Sequence, residues 1–217
     1  MEFETPQRTL AVELTDLIVA GWTGRDRVAV DHHISELAAL GVAPPSTVPL
    51  YYRVSRGLLS QETTIDVLGP DTSGEVEPLI VRSEGQLWLG LGSDHTDRAL
   101  ETVSVAASKQ VCPKPVARKV WPWSEVEPHL EKLILRCDIQ EDGRSVRYQD
   151  GTLASIRPLA ELIAGVGFED GTAMLCGTLG AIGGVRPAPS YQMSLIDPVL
   201  DRTISLAYSV RTLPIVA

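Results

Sequence analysis

Three acidic residues stand out by their spacing. Glu75 and Glu77 are separated by one residue, and in an extended strand side chains two apart share a face. Two neighbouring carboxylates repel, and burying them unpaired is costly. A hard divalent cation removes that cost. Asp94 lies in the turn Gly92-Ser93-Asp94-His95, after the next apolar run, and can return as a third oxygen ligand. Three carboxylates with open positions suit Mg²⁺ or Mn²⁺, which prefer oxygen and keep waters or substrate atoms in their shell. The competing reading is a solvated strand edge that happens to carry Glu-x-Glu.

The elements that must position these groups follow from periodicity. Runs at 76–81 and 87–91 flank Ser83-Glu84-Gly85-Gln86, which reads as a hairpin turn. Residues 9–20 alternate and then run apolar, as a strand pair does. Val30, Ile34, Leu37 and Leu40 recur at helical spacing, with Asp31 as a candidate N-cap and Gly41 as a stop. Pro44, Pro45 and Pro49 give a stiff connection into a strand at 50–54. Another strand is expected at 63–68 and a short helix at 94–107. A Pro- and Lys-containing loop then runs from Lys109 to Lys119. Further expectations are a helix at 124–130, strands at 133–139 and 146–148, a helix at 155–166, a buried strand at 173–177 and closing strands at 191–196 and 203–212. Trp88, Trp121 and Trp123 read as core or dimer contacts. The sum is an α+β, mostly β protein with a few short helices.

The 217 residues fit one domain with a small lid, and 44% hydrophobic content supports a sizeable core. A net charge of −9 supplies no basic field to attract phosphates, which argues against a nucleic-acid or anionic-membrane binder. Cys112, Cys137 and Cys176 are odd in number, widely spaced and without a Cys-x-x-Cys, so neither a disulfide framework nor a zinc site is expected. The acidic start has no apolar signal core, and no apolar run approaches the ~18 residues of a membrane span. A cytoplasmic protein is expected. His32-His33, His95 and His129 lack the His-x-x-x-His spacing of zinc peptidases.

Four motifs in order resemble the fumarylacetoacetate hydrolase superfamily, in its short single-domain catalytic form. They are His33-Ile34-Ser35-Glu36 followed by Pro49-Leu50-Tyr51-Tyr52-Arg53, then Gly74-Glu75-Val76-Glu77, then Gly92-Ser93-Asp94-His95-Thr96-Asp97-Arg98, and Cys176-Gly177-Thr178-Leu179-Gly180-Ala181-Ile182-Gly183. The Asp94 turn and Ser108–Pro113 look closest to a branch labelled only as of unknown function. Asp97 stands where the family usually has Ala, Leu179 replaces a Pro, and the span from Glu77 to Asp94 is short.

The resemblance implies a mixed β-roll or sandwich, with residues 1–60 as N-terminal strands and a lid helix packed on a 61–217 core. It also implies one Mg²⁺ or Mn²⁺ per chain on Glu75, Glu77 and Asp94, a homodimer, and a small 2-oxo or 1,3-diketo acid as substrate. The shared chemistry is Lewis-acid support of an enolate, leading to C–C hydrolysis or decarboxylation, with hydration or isomerisation as alternatives. Lys109 would pair with the substrate carboxylate or enolate oxygen. Thr178 and Gly177 would bind the carboxylate, and Arg53 would assist. Glu36, three residues on from His33, would orient it as a base on a closing lid, and that spacing favours His33 over His32. Against each role stands a structural one: a solvated Lys or Arg, a tight Gly-Thr turn, a surface His. A scaffold that binds metal or oxo acid without turnover is the non-enzymatic alternative.

Overall fold

The computed structural model describes residues 1–39 and 43–216; within the helix Arg27–Ala39 the side chains of His33, Glu36 and Leu37 lie outside the described residues. Among the described residues the main layers are a six-stranded and a five-stranded sheet. The first runs, in spatial order, Trp121–Pro122, Gln86–Ser93, Val76–Ser83, Thr172–Leu175, Asp16–Gly21 and Leu50–Val54. Only Thr172–Leu175 and Asp16–Gly21 pair in parallel there. The second runs Arg144–Thr152, Ile134–Glu141, Ser190–Asp197, Arg202–Leu213 and Thr64–Leu68. The mostly β, α+β architecture expected from periodicity is what is observed.

Strand Val76–Ser83 is apolar on both faces because both are covered. Val76 and Ile80 join the core between the two sheets, with Leu91, Met174, Leu135 and Leu195. Leu79 and Val81 face a second core with Phe3, Leu10, Val19 and Leu175, closed by the hairpin Glu2–Glu4/Thr9–Ala11. Each fully buried Leu or Ile contributes about 1.5–3 kcal/mol. Trp88, Trp121 and Trp123 are buried, and the three cysteines are buried and unpaired. No helix among the described residues is long and apolar enough to cross a membrane.

Several local expectations shift. The first helix is capped by Asp26, whose carboxylate accepts from Val28 N at 2.9 Å and Ala29 N at 3.2 Å. Asp31 instead sits one turn in and pairs with Arg27 at 2.8 Å. The helix expected over 94–107 is two, Arg98–Glu101 and Val105–Gln110, because Thr96–Asp97 is held extended against Thr72–Ser73. Asp97 and Ser104 cap them through Leu100 N and Ala107 N. Lys109 therefore rides on a helix rather than in the loop. Pro158 delays the helix expected at 155–166 to Leu159–Ala164. Strands Asp16–Gly21 and Leu50–Val54 are integral to the six-stranded sheet.

Candidate metal centre

The hairpin expected around residue 84 positions the acidic residues. Strands Val76–Ser83 and Gln86–Ser93 pair antiparallel through a two-residue turn, Glu84 and Gly85, both at positive φ. The register sets Val76 opposite Ser93 and Glu77 opposite Gly92, so Glu75 and Asp94 meet at the open end. Asp94 N donates to Glu75 O at 3.1 Å. One carboxylate oxygen from each of Glu75, Glu77 and Asp94 lies within 4.8 Å of the others. They line a cavity of about 690 Å³.

Each acid has a different partner. Glu77 is 2% exposed, and its Oε2 accepts from Gly177 N at 2.8 Å. Glycine is required at 177: φ is +95°, and a Cβ would lie 1.6 Å from Thr23 Oγ1. Glu75 is held by Arg98 Nη2 at 3.3 Å, while Arg98 Nη1 reaches Glu101 at 3.0 Å and Nε donates to Ser73 Oγ at 2.7 Å. Asp94 takes two lysines. Lys109 donates to Oδ2, and Lys114 Nζ stands 3.2 Å from Oδ1 without making a hydrogen bond there.

These contacts set the electrostatics. Burial, reinforced by Asp94 and Glu75, holds the Glu77 carboxyl well above the ordinary carboxylate range. Burial would raise Asp94 too, but Lys109 and Lys114 outweigh it and hold that acid below its usual value. Lys109 is raised: burial opposes its charge, and Asp94 and Glu75 prevail. Lys114 is lowered, by burial and by the nearby Lys109 charge, against the pull of Asp94. A centre of three converging acids, one of them held above the ordinary range by burial and by its neighbours, with a carboxylate oxygen lacking a hydrogen bond, fits a hard dication, which would satisfy all three oxygens.

The other expected residues fall unevenly. Lys109 lines the cavity, with its ammonium 5.6 Å from the centre of the Tyr52 ring. Thr178 lines it too, but its hydroxyl donates to Val76 O at 2.8 Å and accepts from Gln149 Nε2 at 2.7 Å. Its one hydroxyl proton is committed, so Thr178 braces the Glu75–Glu77 strand rather than presenting a free O–H. Gly177 likewise spends its N–H on Glu77. Arg53 is placed elsewhere: it is exposed and faces Asp16 at 3.6 Å, outside the cavity, because alternation along Leu50–Val54 turns Tyr52 inward instead. The helix carrying His33 and Glu36 meets the cavity at its first turn, through Asp26, Ala29 and Val30; the two side chains lie outside the described residues.

Sequence reasoning missed Lys114, Arg98 as a ligand holder, and Gln149. Gln149 is buried by a bulge opposite Cys137/Asp138 that turns both Tyr148 and Gln149 inward. Its amide also donates to Leu179 O at 2.7 Å and accepts from Val76 N at 2.9 Å. The Arg in Asp94–Arg98 was visible; a lysine between two prolines carried no signal. His95 points away from the acids, to Tyr208 at 3.1 Å and Thr72 at 2.9 Å. Burial, with the Lys114 and Arg98 charges, pushes it down to about 3, so it is neutral.

A family model described as "Protein of unknown function (DUF2848)" matches residues 20–208. The chain belongs to the DUF2848 family. Among curated proteins, none matches this DUF2848 chain in sequence. Solved structures do match in shape. A Burkholderia cenocepacia protein assigned as a fumarylpyruvate hydrolase is 16% identical over 98% of this chain and 95% of its own, with a TM-score of 0.66. A 2-keto-3-deoxy-D-arabinonate dehydratase complexed with magnesium and 2,5-dioxopentanoate is 13% identical over 94% and 75%, TM-score 0.66. A Pseudomonas aeruginosa fumarylpyruvate hydrolase in complex with Mn²⁺ and pyruvate is 12% identical over 98% and 96%, TM-score 0.58. These are folds of the fumarylacetoacetate hydrolase superfamily, and the DUF2848 chain shares that fold.

Proposed function

We propose that this DUF2848 protein is a Mg²⁺- or Mn²⁺-dependent enzyme acting on a small 2-oxo or 1,3-diketo acid, by C–C hydrolysis or decarboxylation. The observation that carries the reading is the convergence of Glu75, Glu77 and Asp94 within 4.8 Å at the wall of a 690 Å³ cavity. A dication on these three residues would supply Lewis acidity toward adjacent carboxylate and carbonyl oxygens of the substrate. The chain supplies the rest. Arg98 and Gly177 N hold Glu75 and Glu77 in register. Lys109 presents an ammonium on the cavity side, suited to a substrate carboxylate or a developing enolate oxygen. Tyr52, steadied by a 3.1 Å bond from Trp22 Nε1, walls the same side. His33 is proposed as the base with Glu36, three residues on, as its partner, on a helix whose first turn borders the cavity. An intact His33–Glu36 pair favours hydrolysis over decarboxylation.

The test is decay of oxaloacetate and of acylpyruvates with Mn²⁺ or Mg²⁺, in wild type and Glu75→Ala. Metal-dependent turnover lost in the variant is expected; absence of metal-dependent turnover on every candidate rejects the enzyme and leaves a metal- or oxo-acid-binding scaffold. Dimerisation is proposed alongside and read by light scattering.

A further inference from the structure

Two lysines approach the same carboxylate, one at each oxygen. Lys109 comes from the cavity, whose wall it forms. Lys114 comes from the protein side. It is 0% exposed, lies outside the cavity lining, and sits between Pro113 and Pro115 on a short strand paired with Leu59–Ser60. Its Nζ donates to His95 O at 2.5 Å and lies 3.2 Å from Asp94 Oδ1. Lys109 and Asp94 both line the cavity, so an occupant meets that pair directly. Lys114 is not among the residues that line it.

We propose that Lys114 is a positioning residue of the metal centre, a buried ammonium anchored behind Asp94 that leaves the loaded centre cationic and so makes it a receptor for one carboxylate group. This rests on Glu75, Glu77 and Asp94 being the metal ligands. The cluster holds four carboxylates, Glu75, Glu77, Asp94 and Glu101, and three cations, Arg98, Lys109 and Lys114. Fully ionised it carries −1, and a dication makes it +1. Without Lys114 the loaded cluster would be neutral and would offer a monoanion no net attraction.

The same charge has an opposite effect on the two binding events. It repels the dication and attracts the anion. At the dielectric of water, a unit charge about 6 Å from a divalent one changes binding about tenfold, and partial burial increases this. Damage to the fold would weaken both events together.

The experiment titrates Mn²⁺ into wild type, Lys114→Met and Lys114→Gln by electron paramagnetic resonance, then titrates oxalate into each Mn²⁺-saturated protein by calorimetry. Oxalate offers two adjacent oxygens and one extra charge over a monoanion, so it reports the field without turnover. Mn²⁺ is expected to bind the variants about tenfold tighter, and oxalate about tenfold weaker. Weakening of both, or no change in either, overturns the proposal. Loss of a cooperative thermal transition in both variants would assign Lys114 to the fold alone and overturn it too. Failure of the underlying reading is separate: wild type would then bind no Mn²⁺, or Glu77→Gln would bind it as well as wild type.

Discussion

Asp197 and Asp94 are both buried aspartates, 0% and 1% exposed, and their surroundings differ in kind. Asp197 ends the strand Ser190–Asp197 and is fully provided for. Its Oδ1 accepts from His129 Nε2 at 3.0 Å, Val199 N at 3.0 Å and Leu200 N at 3.1 Å, and its Oδ2 from Arg202 Nε at 3.1 Å. No other acid crowds it in those contacts. Asp94 pairs with Lys109 and Lys114, yet its Oδ1 makes no hydrogen bond and it stands against Glu75 and Glu77. A buried acid that closes its own hydrogen-bond account fastens a turn. A buried acid left short, next to two more, is arranged for something the chain itself does not contain.

Removing one charge from each region separates the two aspartates' surroundings most strongly. Glu77→Gln keeps the shape and the acceptor for Gly177 N but deletes a ligand charge. Mn²⁺ affinity should fall about 100-fold, while the metal-free protein melts no lower than wild type, because a buried acid crowded by Asp94 has been replaced by a neutral amide. Calorimetric titration and thermal scans check both. A variant that melts well below wild type would mean Glu77 fastens the fold as Asp197 does.

Asp197→Asn should do the reverse. An amide presents N–H toward one of the donors around Asp197 and surrenders the charge paired with Arg202. A loss of about 2 kcal/mol is expected, which for a chain of this size lowers the melting temperature by about 4–8 °C. Mn²⁺ affinity should stay within about twofold of wild type. Coupling of the two readouts would break the distinction.

The hairpin and its three acids were legible because their signals are local: period-two alternation either side of Ser83-Glu84-Gly85-Gln86, the i, i+2 spacing of Glu75 and Glu77, and the turn that carries Asp94. The roles of Lys109 and Thr178 came only with the resemblance. Lys114 and Gln149 were not legible, since a buried Lys or Gln is decided by partners far along the chain: His95 O and Asp94 for one, Thr178 and Leu179 for the other. Arg53 failed for a related reason. Alternation along Leu50–Val54 shows that neighbours take opposite faces, but which face meets the cavity is set by the strand's place at the sheet edge, and Tyr52 took it. The Asp26 cap was obscured by Asp31, a second acid that suited the same role.

The smallest expected effect is also the one that separates the two acids by sign. Burial would raise Asp197, but His129, the turn amides and Arg202 hold it below its ordinary value of 3.8. Below that value the unfolded chain binds more protons than the native one, so stability rises with pH there and is lost as pH falls through the depressed native value. Glu77 is raised well above 4.5, chiefly by burial. Above 4.5 the native metal-free protein holds a proton that the unfolded chain has released, so this group's contribution is present below 4.5 and is lost as pH rises through the raised native value. Urea unfolding across pH should therefore show a positive slope that Asp197→Asn removes and, at higher pH, a negative slope that Glu77→Gln removes. Saturating Mn²⁺ should abolish the negative slope and leave the positive one, because the ion replaces the Glu77 proton and has no business at Asp197. A negative slope that persists in Glu77→Gln would place its source elsewhere and return Glu77 to the class of acids that the fold alone accounts for.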